Sequence, residues 1–487
     1  MSAPDPFKPK SSSCRHLILP NLWQPGHAHL IGIAGSGMRS LARILLDIGW
    51  TISGSDLATG RLDDLEARGA RIRIGHAAEN VPEATGMVVF SDAIPENNPE
   101  LQRAGERNIP TLRYFQALGL LASARETIAV AGTHGKSTVA GMIGAVLLGA
   151  GADLTLAYGA DPLLLGRSSR AVSRAGHGPL MVVEACEYRA NFLHFHPQQA
   201  VLLGIEPDHF DCYPTDEHLE HAFSLFGRAV RAEGRLLVRH ECARARRVAE
   251  AASCRIETFG LVRDAQWRAV DVASHAGCSS FTACYQGRDL CRIDLKVLGA
   301  HQVANALAAV AVGLHNGVAP DQISAELSRW CGLRRRLEVV DCYAGVTWVD
   351  DYAHHPTEVS ASLSAIRERF PGQRVFCVYQ PHQASRTARL LDETARSLQN
   401  ADCVLVTDIF RAREPLPCKG EVSAADLADR VRCLGTETPP FHNPRQCRDF
   451  LVGQLRPGDV VATLGAGNIR ETGNELILWL RENRAAG

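Results

Sequence analysis

The stretch AGTHGKST, residues 131–138, combines glycines, a lysine and hydroxyl side chains in an order that favours phosphate binding. A strand-like run, TIAVA, precedes it and a helix-like run follows, so backbone N–H groups at the helix start would form an anion cradle. Lys136 would then reach the β- and γ-phosphates of a nucleotide, and the Ser137 hydroxyl would bind Mg²⁺. The general P-loop pattern also requires an earlier glycine, where this chain has Val130. An ordinary glycine-capped turn is the alternative for this stretch alone.

A second glycine loop lies near the start of the chain, in IGIAGSGMRS at residues 31–40. Gly35 and Gly37 lie between a strand-like and a helix-like run, and Asp56 ends the next strand-like run, WTISGSD. This is close to the fingerprint of a nicotinamide-dinucleotide site, although Ser40 stands where the third glycine or alanine belongs. Such a loop selects for a diphosphate and not for the group attached to it. An NAD-dependent dehydrogenase and a protein that binds another nucleotide diphosphate are therefore both open.

Ionisable side chains follow two apolar runs of the next segment: Glu184 ends LMVVE and His209 follows AVLLGI. Ligands of doubly wound sheets bind at the carboxyl ends of the strands, so this pair is suited to hold Mg²⁺ beside phosphate oxygens. Taken alone, each residue is more typical of an ordinary polar strand end. The cysteines and histidines of this segment lack the spacing of a common zinc site, so no zinc site is expected among them.

Three later clusters also carry polar chemistry. His301 and Asn305 share one face of a predicted helix near its start, where an asparagine suits the donor–acceptor edge of adenine, although an ordinary polar pair at a helix start is the equal alternative. The segment DDYAHHPTEV, residues 350–359, packs acids and histidines into a strand-to-helix loop, a pattern that is seldom only structural. His382 and Arg386 in QPHQASRT are a candidate carboxylate clamp.

The elements that must position these residues alternate between strand-like and helix-like runs, which predicts parallel sheets covered by helices. We expect an N-terminal extension at 1–28, a first domain at 29–122, a central domain at 123–332 and a third domain at 333–487. Residues 255–298 of the central domain read as short antiparallel strands.

Composition narrows the possible partners and compartments. The net charge of −1 over 487 residues gives no global field for nucleic acid, so no nucleic-acid partner is expected. The sequence contains neither a signal-peptide pattern nor a run long enough to span a bilayer, so no membrane insertion is expected. Fifteen dispersed cysteines without a CxxC pair indicate reduced thiols and a cytoplasmic protein.

Taken in order, these motifs resemble those of the Mur ligases of peptidoglycan synthesis. The resemblance runs from about residue 29 to residue 469 and rests on GTHGKST, EACEY, GIEPDHFD, GAHQVANALAA, LRRRLE, DDYAHHPTEV, QPHQASRT and PGDVVATLGAGNI. It implies an α/β fold of three domains. These are a Rossmann-like N-terminal UDP-binding domain, a central P-loop ATPase-type domain with added antiparallel strands, and a C-terminal Rossmann-like domain that binds the amino acid.

The resemblance also implies an activity: ATP-dependent amide ligation in the synthesis of peptidoglycan precursors. L-alanine would be joined to the lactyl carboxylate of UDP-N-acetylmuramate through an acyl phosphate, with release of ADP and phosphate. ATP and Mg²⁺ (or Mn²⁺) would be required, and the enzyme would be a monomer or a homodimer. Within the family the QPH…RT segment favours the alanine-adding subgroup over the subgroup that recycles a murein tripeptide.

Site residues follow by matching position. The resemblance implies catalytic roles for Lys136, Glu184, His209 and His354, and metal binding by Ser137, Glu184 and His209. It implies an ATP site of Gly132, Thr133, His134, Gly135, Lys136, Ser137, Thr138, His301, Asn305, Arg335, Arg336 and Asp351. It implies a UDP-sugar site of Gly35, Ser36, Gly37, Met38, Asp56 and Ser91, and an amino-acid site of Tyr352, His354 and Arg386.

The chain departs from the family pattern at a few positions. The acidic cluster usually reads Glu-Ala-Asp-Glu-Ser, whereas this chain has Cys186 and Tyr188 at the third and fifth places. Gln302, Gln383 and Asn468 replace a common Asn, Arg and Asp. None of these changes involves Lys136, Glu184 or His209, and they bear mainly on amino-acid specificity. A catalytically silent UDP-sugar-binding relative is the alternative that they raise.

Overall fold

The computed structural model describes residues 21–57, 62–163, 173–275, 277–412, 414, 417–418, 420–439 and 443–484. Most of the predicted N-terminal extension, residues 1–20, lies outside the described residues. The described chain forms three β-sheets that follow one another in sequence. The predicted α/β architecture is confirmed.

The first sheet is parallel throughout, in the order β3-β2-β1-β4-β5. Its elements are β1 (His27–Ile31), α1 (Ser36–Asp47), β2 (Thr51–Asp56), α2 (Asp63–Glu66), β3 (Arg71–Ile74), β4 (Met87–Phe90), α3 (Pro99–Glu106), β5 (Thr111–Arg113) and α4 (Tyr114–Ser123). The strand order reverses between β1 and β4, so the loops after these two strands diverge and leave a crevice. The glycine loop at residues 32–35 and the turn that starts at Ser91 border this crevice.

The central sheet has nine strands in the order β14-β13-β12-β11-β10-β9-β6-β8-β7. Its first half contains β6 (Glu126–Ala131), α5 (Lys136–Gly149), β7 (Thr155–Ala157), β8 (Leu180–Glu184), β9 (Gln199–Leu202), α6 (Asp216–Ala229), β10 (Arg235–Arg239) and α7 (Ala243–Ala249). Its second half contains β11 (Arg255–Gly260), β12 (Trp267–His275), β13 (Cys278–Tyr285), β14 (Arg288–Leu295), α8 (Ala300–His315) and α9 (Pro320–Arg329).

The expectation of antiparallel strands over 255–298 is correct for β12 to β14 and wrong for β11. Strand β11 pairs with β10 in parallel register, whereas β12, β13 and β14 form an antiparallel meander. The reason is the connection: helix α7 carries the chain from β10 back to the start of β11, and such a crossover returns the strand in parallel.

The third sheet has the order β15-β16-β19-β17-β18, with β15 antiparallel and the other strands parallel. Its elements are β15 (Glu338–Tyr343), β16 (Val346–Asp351), α10 (Pro356–Arg369), β17 (Val375–Tyr379), α11 (Ala384–Arg389), α12 (Leu391–Ser397), β18 (Cys403–Val406), α13 (Ala424–Cys433), α14 (Pro444–Gln454), β19 (Val460–Leu464) and α15 (Arg470–Arg484). Short 3₁₀ helices occur at Ala78–Asn80, Tyr188–His194 and Leu398–Asn400.

Helices cover both faces of the sheets, which explains why the central strands are apolar along their whole length. Every residue of β17 and β19 is buried, and α5 and α8 are almost entirely buried against the central sheet. Continuous apolar runs of this kind are expected of parallel strands that are covered on both sides. Polar side chains therefore concentrate at the carboxyl ends of the strands. Among the described helices, none is long and apolar enough to cross a membrane.

Candidate functional site

The loop between β6 and α5 has a backbone that only glycine adopts without strain. Gly132 and Gly135 have φ angles of +131° and +83°. A Cβ on Gly132 would lie 2.9 Å from the Cβ of Leu203, so a larger residue would collide with the neighbouring strand. The Thr133 N–H donates to the carbonyl oxygen of Gly204 at 2.8 Å. The loop thus lies against the end of β9, and the N-terminus of α5 is directed at it, as an anion site requires.

Lys136 lies inside this loop. Its Nζ donates to the carbonyl oxygens of Gly132 at 2.6 Å and Thr133 at 3.0 Å, and it lies 2.8 Å from Oε2 of Glu187. Burial alone would lower the pKa of Lys136, but the charge of Glu187 raises it above its ordinary value. The ammonium is therefore retained at neutral pH.

The carboxylate of Glu187 joins Lys136 to His209, whose Nε2 lies 3.3 Å from Oε1 of Glu187. Burial would raise the pKa of this carboxyl, but Lys136 and His209 lower it. Sequence reasoning did not assign a role to Glu187. Its position three residues after Glu184, at the end of the same strand, was the available signal.

The predicted magnesium ligands form two adjacent groups. The Ser137 hydroxyl donates to Oε2 of Glu184 at 2.8 Å, and the Gly159 N–H donates to the same oxygen at 3.0 Å. His209 contacts Glu187 and also lies 3.9 Å from Asp208. Two hard oxygens 2.8 Å apart match the edge of an octahedron with Mg–O bonds of about 2.0–2.1 Å, so the donor set at Ser137 and Glu184 fits Mg²⁺.

The glycine loop of the first domain gathers the predicted UDP-sugar residues at one edge of the sheet. Gly32 has a φ angle of +82°, and a Cβ there would lie 3.1 Å from the Cβ of Ser91. The Ala34 N–H donates to Oδ2 of Asp56 at 2.9 Å, so Asp56 holds the loop itself. Met38 is 3% exposed. Its side chain therefore belongs to the core, and only its backbone N–H remains suited to a phosphate.

The two glycine loops, which belong to different domains, face each other across Gly159. A Cβ on Gly159 would lie 3.4 Å from Oγ of Ser36 and 3.6 Å from Oε2 of Glu184. The ring of Tyr114 also lies here, because a Cβ on Gly37 would be 2.9 Å from its Cζ. Burial, together with the charge of Glu184, raises the pKa of Tyr114 and keeps it neutral. Sequence reasoning missed both Gly159 and Tyr114.

A cavity of about 550 Å³ opens beside the central loop. Its lining includes His134, Gly135, Thr138, His301, Asn305, Arg336 and Asp351. A Cβ on Gly135 would lie 3.1 Å from Oδ1 of Asn305, so the loop and the amide touch. Burial lowers the pKa of His301 to about 4, which leaves a neutral ring. The volume and the mixed polar lining fit a nucleoside.

Asp351 and the two predicted arginines have distinct surroundings. Asp351 accepts hydrogen bonds from the Leu337 N–H at 2.9 Å and the Ser362 hydroxyl at 3.0 Å, and burial raises its pKa to about 6. Arg335 Nη2 donates to the carbonyl oxygen of Gly465 at 2.6 Å, away from the cavity lining. Of the two arginines, Arg336 is the one that lines the cavity.

The predicted amino-acid residues lie at the carboxyl ends of β16 and β17. Burial lowers the pKa of His354 to about 4, so its ring is neutral at neutral pH. Its Nδ1 lies 3.0 Å from the carbonyl oxygen of Tyr352. Arg386 Nε donates to Oδ1 of Asp208 at 2.8 Å, and Nη1 lies 2.7 Å from Nδ1 of His382. Asp208 belongs to the central domain, so the predicted carboxylate clamp is engaged in a contact between domains.

Three sequence profiles of one family match consecutive parts of this chain. They are described as Mur ligase family, catalytic domain (residues 27–126), Mur ligase middle domain (residues 130–313) and Mur ligase, glutamate ligase domain (residues 335–467). A UDP-N-acetylmuramate–L-alanine ligase of Clostridium novyi (strain NT) is 38% identical over 447 residues, which is 91% of this chain and 96% of the relative. The chain belongs to the Mur ligase family.

Solved Mur ligases share the whole fold. A UDP-N-acetylmuramate–alanine ligase of Thermotoga maritima superposes with a TM-score of 0.79 at 23% identity, covering 94% of this chain and 99% of the other. A murein peptide ligase of Psychrobacter arcticus superposes with a TM-score of 0.71 at 22% identity, covering 93% and 98%. The three-domain Mur ligase fold expected from the sequence is confirmed.

One departure from the usual Mur ligase cluster has a visible structural consequence. Tyr188 donates from its hydroxyl to Oδ2 of Asp211 at 3.0 Å, and its ring centroid lies 5.2 Å from that of His209. The aromatic ring thus packs on the histidine that contacts Glu187, where a serine would leave space. Tyr188 and Asp211 therefore hold His209 in place.

Proposed function

We propose that this Mur ligase joins L-alanine to the lactyl carboxylate of UDP-N-acetylmuramate with hydrolysis of ATP to ADP and phosphate. The observation that carries the proposal is the approach of the two glycine loops at Gly159, between Ser36 and Glu184. A UDP-sugar cradled by the first loop would extend its sugar end toward the phosphates held by the second. The curated relative from Clostridium novyi bears the name of this activity.

In the first step a carboxylate oxygen of the sugar attacks the γ-phosphorus of ATP, and the bond to the β,γ-bridging oxygen breaks. The products are an acyl phosphate and ADP. Both reactants are anions, so positioning and electrostatic stabilisation must supply most of the acceleration. Lys136, fixed by two loop carbonyls and Glu187, would neutralise charge on the transferring phosphoryl group. Arg336 would add a second cation from the cavity wall.

A bound Mg²⁺ would be held by Ser137 and Glu184, with His209 completing the set that we predict. The metal would neutralise phosphate charge and orient the phosphoryl group. Glu184 is suited to this role because Gly159 and Ser137 already fix the position of one of its oxygens. His301 and Asn305 would face the adenine, and Asp351 the ribose.

In the second step the amine of L-alanine attacks the acyl carbon, phosphate leaves and the amine loses a proton. Tyr352, His354 and Arg386 would shape the pocket for the amino acid. The low pKa of His354, about 4, leaves its ring neutral, so the ring would orient the neutral amine as a hydrogen-bond acceptor, and the proton lost from the attacking nitrogen would pass to phosphate or solvent. Arg386 would bind the alanine carboxylate only in competition with Asp208, its partner in this structure.

The decisive experiment measures phosphate release by the purified chain with ATP, Mg²⁺ and UDP-N-acetylmuramate, while the amino acid or peptide is varied. Release that depends on L-alanine supports the proposal. Release with L-alanyl-γ-D-glutamyl-diaminopimelate and not with alanine would identify a recycling ligase. Binding of the UDP-sugar without release for any acceptor would identify a catalytically silent relative. With ATP and a UDP-sugar as substrates, the proposed site of action is the cytoplasm.

A further inference from the structure

His134, Glu206 and His355 form a cluster where the central and third domains meet. His134 belongs to the glycine loop before α5, Glu206 follows β9, and His355 precedes α10. One nitrogen or oxygen atom from each side chain lies within 4.8 Å of the corresponding atoms of the other two. The ring centroids of the two histidines are 4.6 Å apart. The cluster is separate from Ser137 and Glu184, the oxygen pair that fits Mg²⁺.

The distances within the cluster match those of a tetrahedral metal site. Oε2 of Glu206 lies 3.5 Å from Nε2 of His134 and 3.4 Å from Nδ1 of His355. Ligands bonded at about 2.0–2.1 Å to a tetrahedral Zn²⁺ are separated by about 3.4 Å. Two of the three ligand pairs therefore already have the required spacing.

The outer nitrogens of both rings are oriented by acceptor oxygens, as in metal-binding histidines. Nδ1 of His134 lies 3.1 Å from Oε1 of Glu358, and Nε2 of His355 lies 3.3 Å from the carbonyl oxygen of Pro207. A proton on each outer nitrogen leaves the inner nitrogen as a lone pair directed at Glu206. In this structure Nδ1 of His355 accepts a hydrogen bond from the Thr357 N–H at 3.3 Å, so a bound ion would take the place of that hydrogen bond.

Inner Nε2 of His134 is buried and has no hydrogen-bond partner among the described residues. Two carboxylates, those of Glu206 and Glu358, contact the ring of His134. The Thr357 hydroxyl in turn donates a hydrogen bond to Glu206. Two imidazoles and one carboxylate favour a borderline transition-metal cation over Mg²⁺, which prefers oxygen ligands.

We propose that His134, Glu206 and His355 form a three-ligand site for a divalent transition-metal cation, with Zn²⁺ as the fitting ion. His134 and Glu206 also line the cavity beside the central loop, through which an ion would reach the cluster. The bound ion links the central and third domains directly.

The test uses the full chain without nucleotide and titrates it with Zn²⁺ alone, followed by isothermal calorimetry. The expected result is one tight site, weakened about tenfold or more in Glu206→Gln and in His355→Ala. Glu206 is 36% exposed at its side chain, so the first variant removes a ligand with little risk to folding. His275→Ala, an exposed histidine at the end of β12, is the matched control and should bind as the wild type does.

Cysteine thiolates are the competing ligands in this chain, so a second measurement identifies the ligand type. Co²⁺ bound at the proposed site should give the absorption of a tetrahedral nitrogen–oxygen complex without thiolate charge-transfer bands. The proposal is overturned if Zn²⁺ does not bind, if both variants bind like the wild type, or if the Co²⁺ spectrum shows thiolate ligation. The outcome is independent of ligase activity, since no substrate is present.

Discussion

Nζ of Lys136 lies 2.8 Å from Oε2 of Glu187, and the other oxygen of that carboxylate lies 3.3 Å from Nε2 of His209. The side chain of Glu187 is 1% exposed, so its charge depends on these two partners. Glu187 thus connects the glycine loop between β6 and α5 to the loop that carries His209.

Replacement of Lys136 by alanine should greatly reduce turnover and leave binding of the UDP-sugar nearly intact. The ammonium contacts the loop that would hold ATP, whereas the loop that would hold the UDP-sugar belongs to the first domain. We expect phosphate release to fall by about 1000-fold, the loss typical of a preorganised electrostatic contact. Coupled phosphate assays and calorimetry with UDP-N-acetylmuramate measure the two quantities. Lys296→Ala, an exposed lysine, is the control. Loss of UDP-sugar binding in Lys136→Ala would show that the roles of the domains are reversed.

Glu187→Gln should lower kcat by about 100-fold with a smaller change in the KM for ATP. The neutral amide keeps the shape of the side chain but no longer holds Lys136 and His209 as ion partners. Steady-state kinetics checks this result, and Glu233→Gln, an exposed carboxylate, serves as the matched control. Unchanged kcat in Glu187→Gln would mean that the carboxylate is only a structural counter-ion.

Gly159→Ala should impair ligation more than it impairs binding of either nucleotide. The added methyl group would stand 3.4 Å from Oγ of Ser36 and 3.6 Å from Oε2 of Glu184, in the gap through which the sugar carboxylate would reach the phosphates. Gly105→Ala in α3 has open space around it and is the control. The measurement compares kcat with the dissociation constants of ATP and the UDP-sugar. A variant with normal kcat would exclude this gap as the reaction path.

Arg386 and Asp208 should be energetically coupled. Both side chains are buried, at 4% and 7% exposure, so removal of either leaves a buried charge without its partner. A double-mutant cycle compares the KM for L-alanine in Arg386→Ala, in Asp208→Ala and in the double variant. Converted to free energies, the effects of the two substitutions should differ from additivity by about 2 kcal/mol. Additive effects of the two substitutions would contradict a direct interaction between Arg386 and Asp208 that affects L-alanine binding.

Because of Glu257, the free energy of unfolding of the central domain should fall as the solution becomes acidic. Burial would raise the pKa of this carboxyl, but hydrogen bonds from His315 and Trp267 lower it from 4.5 to about 2. The group therefore stabilises the fold above pH 4.5, and this contribution, at most about 3 kcal/mol, is lost as the pH falls toward 2.

Denaturant unfolding at pH 7 and pH 4 of the wild type and Glu257→Gln measures this contribution. The variant should be less stable at pH 7, and the difference should shrink at the lower pH. If the wild type and Glu257→Gln were equally stable at pH 7 and at pH 4, the stabilising role of the Glu257 carboxylate would be contradicted.

The local part of the site was predictable from the sequence. Gly135, Lys136 and Ser137 follow a strand and start a helix, and this order alone specifies the loop. The role of Glu187 was not predictable, because which carboxylate faces Lys136 depends on the path of the chain into the 3₁₀ helix Tyr188–His194. The contact of Arg386 with Asp208 joins residues 178 positions apart, and only the packing of two domains brings them together. Arg335 points to the carbonyl oxygen of Gly465 and Arg336 to the cavity, and this difference likewise follows from the packing of the third domain.

Arg386 of the third domain contacts Asp208, the residue before His209. His209 contacts Glu187, and Glu187 contacts Lys136. A displacement of the third domain that broke this contact would therefore act on Lys136 through Asp208, His209 and Glu187. In an enzyme with the proposed function, such a linkage makes the chemistry conditional on domain position. ATP bound while the Arg386–Asp208 contact was broken would meet an incompletely assembled site, which would limit idle hydrolysis when the acceptor amino acid is scarce.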